Sequence, residues 1–328
     1  MSSQATNEIE RLVADSVVVD ATAPLLAQDP NRWRHYKDGG IDVALATITS
    51  GDDVGDTVEK ISGWYALGER QADSILVTSS VAGIEQAKAE GRIAIVPHFQ
   101  NAAPLRRDPW MVEVYRRLGV RVIQLTYNFR NNLGDGCMEP ENAGLSRFGR
   151  DAVRKMNSER VLVDLSHTGV RTTLDAMEVS ERPDVFTHAN ARGVVDHCRN
   201  LTDDQIRMVG QKGGVIGLCA FCAFVSADGK KPTIDDLIDH LDYFVQLIGI
   251  DHVGLGIDYF DDSGWQTNVD LGVWDPEEYP RPPWPWALDG TNSVEFAQRV
   301  AERGYGNDDI RKILGGNFLR VFREVWGG

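Results

Sequence analysis

Eight short β-rich runs recur along this chain, and this alternation constrains its fold more than any other feature. They are SVVVD (16–20), IDVALAT (41–47), IAIV (93–96), VRVIQLT (120–126), RVLVDLS (160–166), DVFTH (184–188), GGVIGLC (213–219) and HVGLGID (252–258). Most are apolar throughout, without polar alternation, as strands covered on both faces are in parallel sheets. Helical periodicity fills the gaps, over Val58–Ala72, Trp110–Leu118, Ser146–Asn157, Arg171–Ser180, Thr202–Lys212 and Ile234–Gly249. Strand and helix in alternation imply a parallel sheet, and eight repeats of the unit imply closure into a (β/α)8 barrel. A ninth strand-like piece and a helix lie within 74–92, ahead of the third barrel strand. The length of 328 residues suits one barrel domain over 1–328, with a long loop after the eighth strand and two C-terminal helices broken at GGN (315–317). The loop, centred on 263–290, is rich in Trp and Pro, which marks a lid or a substrate wall rather than a linker.

Charge narrows the partners. Lys and Arg total 34 against 49 Asp and Glu, a formal net charge of -15, which disfavours nucleic acid and anionic membrane surfaces. A small-molecule substrate fits better. No stretch approaches the roughly 18 apolar residues of a membrane span, and MSSQATNEIERLVADS has no signal-peptide pattern. Four scattered cysteines (Cys137, Cys198, Cys219, Cys222) form no disulfide framework, so the expected compartment is cytoplasmic. Cys219 and Cys222 have CxxC spacing, but the apolar context reads as ordinary semi-buried thiols rather than a redox pair.

In a barrel of this class the site lies at the C-terminal strand ends. Those ends collect Asp20, His98 and Gln100, Tyr127 and Asn128, His167, His188, and Asp258. A lone histidine at such a position is ordinarily a hydrogen-bonded core or loop residue. Several at equivalent positions, with an aspartate, point instead to a shared metal site, because imidazole and carboxylate are donors that zinc prefers. His98 and Gln100 are two residues apart on one strand and should share a face. Asp164, three residues before His167, is expected to face away from it as a supporting carboxylate. His35, His240 and His252 read as structural or exposed. Arg192, His197 and Arg199 follow His188 closely; an arginine there either grips a substrate carboxylate or satisfies loop carbonyls, and spacing does not choose.

GVRVIQLTYN, GDGC, GLSRFGRDAVRKMN, VLVDLSHTG, DVFTHANAR, DHCRNLTDDQIR, GGVIGL, VGLGIDY and ILGGNFLRVFREVW, in this order over nearly the whole chain, resemble the renal or membrane dipeptidase family of zinc peptidases. The resemblance implies a (β/α)8 barrel holding two zinc ions, a dipeptide amide as substrate, and a homodimer. By position, His167 and His188 match the two histidines of the second metal, Arg199 the arginine on the substrate carboxylate, and Asp258 the aspartate of proton transfer and amine binding.

The departures are concerted. Thr22 and Pro24 stand where the family has its HxD pair, Gln100 replaces the bridging glutamate, and Tyr127 replaces a histidine that stabilises the tetrahedral intermediate. One Zn2+ is therefore expected rather than two, held by His167 and His188 with Gln100 or Asp258, and with His98 as an additional candidate ligand. The expected activity is metal-dependent hydrolysis of a dipeptide or small carboxylated amide. In it Asp258 carries the proton, Tyr127 donates to the oxyanion, and Arg199, Tyr127 and Asn128 bind substrate. Two rivals remain at this stage: a metal-dependent lyase or decarboxylase on a carboxylated metabolite, and a non-catalytic binding protein.

Overall fold

The structure is a computed structural model that describes residues 3–226 and 231–327. Nine strands form one parallel sheet: β1 (Val19–Ala23), β2 (Val43–Thr49), β3 (Ile75–Val77), β4 (Ile93–Phe99), β5 (Val122–Gln124), β6 (Leu162–Asp164), β7 (Val185–Phe186), β8 (Val215–Leu218) and β9 (Val253–Leu255). Their order is β1-β2-β4-β5-β6-β7-β8-β9. The ring is drawn shut where Asp258 N donates to Thr22 O at 3.2 Å and Ile257 N to Asp20 Oδ1 at 2.8 Å. Eight strands alternating with helices make the expected (β/α)8 barrel. The extra strand, β3, pairs with Ile93–Ile95 at the lower half of β4, while β5 takes the upper half at His98 and Phe99.

Several ladders are shorter than the apolar runs that announced them. Asn128, His167 and Asp258 explain part of this. All three have left-handed backbones, with φ of 57°, 58° and 60°, and lie just beyond β5, β6 and β9, turning the chain out of the sheet.

Inside the barrel, strand alternation sorts residues by height. Val19, Val43, Ala94, Val96, Val122, Leu162, Val185 and Val215 form an apolar lower interior that continues into Phe318, Phe322 and Trp326 of the final helix, Asn317–Trp326. Two residues further up the same faces, from Leu45, Val96, Val122, Leu162 and Val185, come Thr47, His98, Gln124, Asp164 and Thr187, all buried and polar. A greasy floor thus supports a polar mouth. The final helix reaches the floor because Gly315 has no side chain: a Cβ there would lie 2.2 Å from Val17 O. A larger cluster packs the outer helices against the sheet.

Local chemistry fixes the helices. Thr202 caps Asp203–Gln211 in a reciprocal capping box with Gln205, and Ser146 caps Arg147–Ser158 through Gly149 N. No helix among the described residues is long and apolar enough to cross a membrane. The loop after β9 carries a short helix, Trp265–Asp270, and folds back over the mouth as an aromatic cluster of Phe260, Trp274, Tyr279 and Trp284 against Phe221 and Phe224.

Candidate metal centre

His167 and His188 leave β6 and β7 and meet at the mouth, their Nε2 atoms 2.9 Å apart. Their other nitrogens fix the tautomers. His167 Nδ1 lies 2.6 Å from Asn128 Oδ1, an oxygen identified because Asn128 Nδ2 donates to Val273 O. His188 Nδ1 lies 3.0 Å from Thr22 Oγ1 and 2.8 Å from Thr187 Oγ1. Both hydroxyls spend their own protons elsewhere, Thr22 on Ala21 O and Thr187 on Asp164 Oδ2. Each imidazole therefore donates from Nδ1 and keeps a lone pair on Nε2. Burial holds both rings well below the usual histidine range, and the Arg199 charge adds to it. A proton between the rings is thus disfavoured, and two facing lone pairs at this distance repel. The donor set fits a cation.

Gln100 reaches the same place, with Nε2 3.4 Å from His188 Nε2 and Oε1 accepting from Thr47. His98 does not. It points to the interior, as the spacing from Gln100 requires, but its Nε2 faces Asp164 Oδ2 at 3.1 Å. The correction is one of height: two residues along a strand span roughly 6.6 Å, and His98 stands below the imidazole pair as part of its support.

Asp164 also corrects the expectation that it faces away. It is fully buried beneath the pair and accepts from His98, from Ser166 N and Oγ, and from Thr187 N and Oγ1. Burial opposes its charge, but the His98 hydrogen bond and its neighbours outweigh this and hold the carboxyl well below the usual range. Strand alternation failed here because His167 lies past the strand end, where its left-handed backbone swings the ring back inward.

Asp258 Oδ2 is 4.0 Å from His188 Nε2 and accepts a long bond from Cys219 Sγ at 3.8 Å. Burial pushes its carboxyl up to about 7, with Arg199 the main opposing influence. Asp20, behind it, is pushed up to about 8 by burial despite backbone donors at Ile257 and Thr22. Its Oδ2 has no partner.

Arg199 is 2% exposed. One guanidinium nitrogen donates to His188 O at 3.1 Å, and the group stands over Phe224 at 5.2 Å. Its Nε is buried without a partner, and among the described residues no carboxylate pairs with it. A sequestered cation with unused donors is poised for an anion.

Tyr127 stacks on His167, ring centroids 4.1 Å apart, and its hydroxyl accepts from Trp274 Nε1 at 3.0 Å. Burial keeps that phenol well above its usual range, hence protonated. Asn128 differs from expectation. Its Oδ1 serves His167 and Tyr279, and its Nδ2 serves Val273 O, so the amide is committed to holding His167 and the loop. It is reassigned from contacting substrate to orienting the ring.

Sequence reasoning had passed over the loop partners Trp274 and Tyr279, and Thr187 as a hydrogen-bonding partner of His188. Thr187 adjoins a candidate ligand and was discoverable as the ordinary support a histidine ligand needs. The loop residues lie 147 and 151 positions from their partners, and no spacing rule reaches that far. Cys219 and Cys222 are fully buried, deeper than the semi-buried setting expected from their context. His35 stacks on Tyr259, His240 receives Ala191 N, and His252 bonds Gly214 O.

Fold and donor set together give a barrel with a candidate histidine-based cation site at its mouth. The model of the membrane dipeptidase family, peptidase family M19, matches residues 26–326, and the chain belongs to that family. It is 29% identical over 272 residues to dipeptidase tcpJ of Claviceps purpurea, covering 82% of this chain and 60% of that protein. It is 34% identical over 224 residues to an uncharacterized dipeptidase of Schizosaccharomyces pombe, covering 66% of this chain and 50% of that one. The chain thus spans about half to three fifths of these curated relatives. A crystal structure of an amidohydrolase from Pseudomonas aeruginosa superposes with a TM-score of 0.88 at 29% identity, covering 98% of this chain and 99% of that one.

Proposed function

We propose that this protein is a metal-dependent hydrolase that cleaves the amide bond of a dipeptide or a similarly small carboxylated amide. The observation that carries the reading is the pair of neutral imidazoles whose free Nε2 atoms face each other at 2.9 Å beside Asp258 and an unpaired, buried Arg199. Membership of the dipeptidase family favours hydrolysis over the lyase and binding-protein rivals.

His167 and His188 are the residues that would hold the ion, with Asp258 or Gln100 beside them. A bound divalent ion supplies Lewis acidity, polarising a carbonyl and making water acidic near pH 7. Arg199 grips the substrate carboxylate and so orients the amide. Asp258, titrating near neutrality, takes the proton of the attacking water and returns it to the leaving amine. The Trp274 N–H on the Tyr127 hydroxyl oxygen leaves the phenol proton free to donate to the carbonyl oxygen as it gains charge.

One Zn2+ suits the mouth better than two. Pro24 offers no side-chain donor, the Thr22 hydroxyl is committed to His188 and Ala21 O, and Gln100 is a neutral amide where a bridge would need charge. Four unpaired cysteines support a cytoplasmic setting, and the family resemblance supports a homodimer. Elemental analysis of the purified protein tests the reading together with a dipeptide panel read by product mass. About one equivalent of zinc is expected, with addition of water to the substrate. His167→Ala should lose the metal and at least about a thousandfold in rate. Two equivalents, or unchanged metal in the variant, overturns the one-ion assignment.

A further inference from the structure

Cys137 and Cys198 come from different loops, yet they line one cavity of about 310 Å³ beside the mouth, together with Arg192, Asp196, Glu139 and Asn142. Neither is in a disulfide, and both are partly accessible on the wall of this shared cavity. Each is tied to the site by one step of chain or one hydrogen bond. The Cys137 N–H donates to His167 O at 2.9 Å, and its Sγ lies 4.0 Å from Asn128 Oδ1, the atom that orients His167. Cys198 immediately precedes Arg199, and its carbonyl is held by Arg192 at 3.0 Å. The residue before it, His197, reaches Glu278 of the covering loop at 2.9 Å.

From this placement we infer that Cys137 and Cys198 form a reversible disulfide by exchange with a small-molecule disulfide, and that closing it disarms the mouth. One thiolate of the pair attacks the small disulfide, forming a mixed disulfide and expelling one small thiol. The other protein thiol then attacks the protein sulfur of that bond, and the second small thiol leaves with its proton. The protein loses two electrons and two protons, which the small disulfide gains. The carboxylates of oxidised glutathione suit Arg192 at the cavity wall.

A sulfur–sulfur bond of about 2.05 Å draws the two loops together. The pull acts on the segment holding His167 and on the residue adjoining Arg199. Misplacement of this kind lowers turnover on the order of tenfold to a hundredfold. Cys219 and Cys222 are less suited to the exchange, being buried near Asp258 and the aromatic cluster.

The test is to equilibrate the full-length, metal-loaded protein with oxidised glutathione, then digest it and map its peptides by mass. The expected result is a Cys137–Cys198 cross-link that dithiothreitol reverses, absent from Cys137→Ser and Cys198→Ser. The activity arm rests on the hydrolase reading; the mass arm does not, so the two can fail separately. Activity of the unmodified chain should fall and recover with the cross-link, while both variants keep their rate under the same oxidant. Stable glutathione adducts without a cross-link, a cross-link between other cysteines, or equal loss of activity in the variants overturns the inference.

Discussion

The two halves of the barrel mouth make opposite use of their polar residues. On the side built by β6, β7 and β9, His167 and His188 keep free lone pairs, Asp258 titrates near neutrality, and Arg199 has an unused donor. On the side built by β1, β2 and β4, the groups mostly have protein partners: Thr22 serves His188 Nδ1 and His98 bonds Asp164, both across to the first side, and Thr47 bonds Gln100. The lesson is that a polar mouth is not itself a site. Donors left without protein partners mark where a ligand belongs, and here the facing imidazole lone pairs and the unpaired arginine lie on one side, while the other side leaves only Asp20 Oδ2 and His98 Nδ1 unpartnered behind and below them.

Arg199→Met is the severest test of that contrast after removal of a histidine. If the unused donors hold substrate, kcat/KM falls about 10²–10³-fold, about 2.7–4 kcal/mol. Thermal stability should hold or rise, since an apolar side chain replaces a buried charge that lacks an ion partner. A loss of stability with unchanged kcat/KM would make the arginine structural and erase the difference between the halves.

The next effect is in the pH profile. Asp258 acts as a base only when ionised, so kcat/KM should fall up to about tenfold per unit as pH drops below about 7, and Asp258→Asn should lose that limb. The stability consequence has the opposite sign. The folded state holds this proton up to about pH 7, whereas the unfolded chain releases it near 3.8. Burial of Asp258 therefore costs stability progressively as pH rises between those values, with no further loss above the folded pKa. Denaturant midpoints of the metal-free protein across that range check the sign against Asp258→Asn, whose profile should be flatter.

The smallest expected effect sharpens the assignment of the quieter side. Thr22→Val removes one of two oxygens on His188 Nδ1 while leaving Thr187, so metal affinity should drop about tenfold with little change in kcat at saturating metal. Competition with a chelator measures it. A collapse of activity that added metal does not restore would put Thr22 in contact with the chemistry instead.

Most of the architecture was readable from the chain because a parallel barrel strand must be apolar on both faces and repeats eight times. His167, His188 and Asp258 were readable because each follows directly on such a run. His98 illustrates the limit. Alternation gave its face, but height within the barrel depends on strand stagger, which sequence does not encode locally. Asn128 shows another limit: an amide beside a site can bind a substrate or orient a ring, and only its partners distinguish the two. The covering loop was recognisable by length and composition. Its anchoring to Tyr127 and Asn128 joins residues about 150 positions apart and follows from tertiary packing alone.

The greasy floor has a consequence for assembly. Phe318, Phe322 and Trp326 pack against Val19, Val43 and Val122, yet they follow every barrel strand in the chain. A growing polypeptide that has made all eight barrel strands still lacks the base on which their inner side chains close. Until that helix emerges, the apolar lower lumen stays open to water and to other chains, so this barrel should depend on a segment made after all its strands to escape aggregation during synthesis.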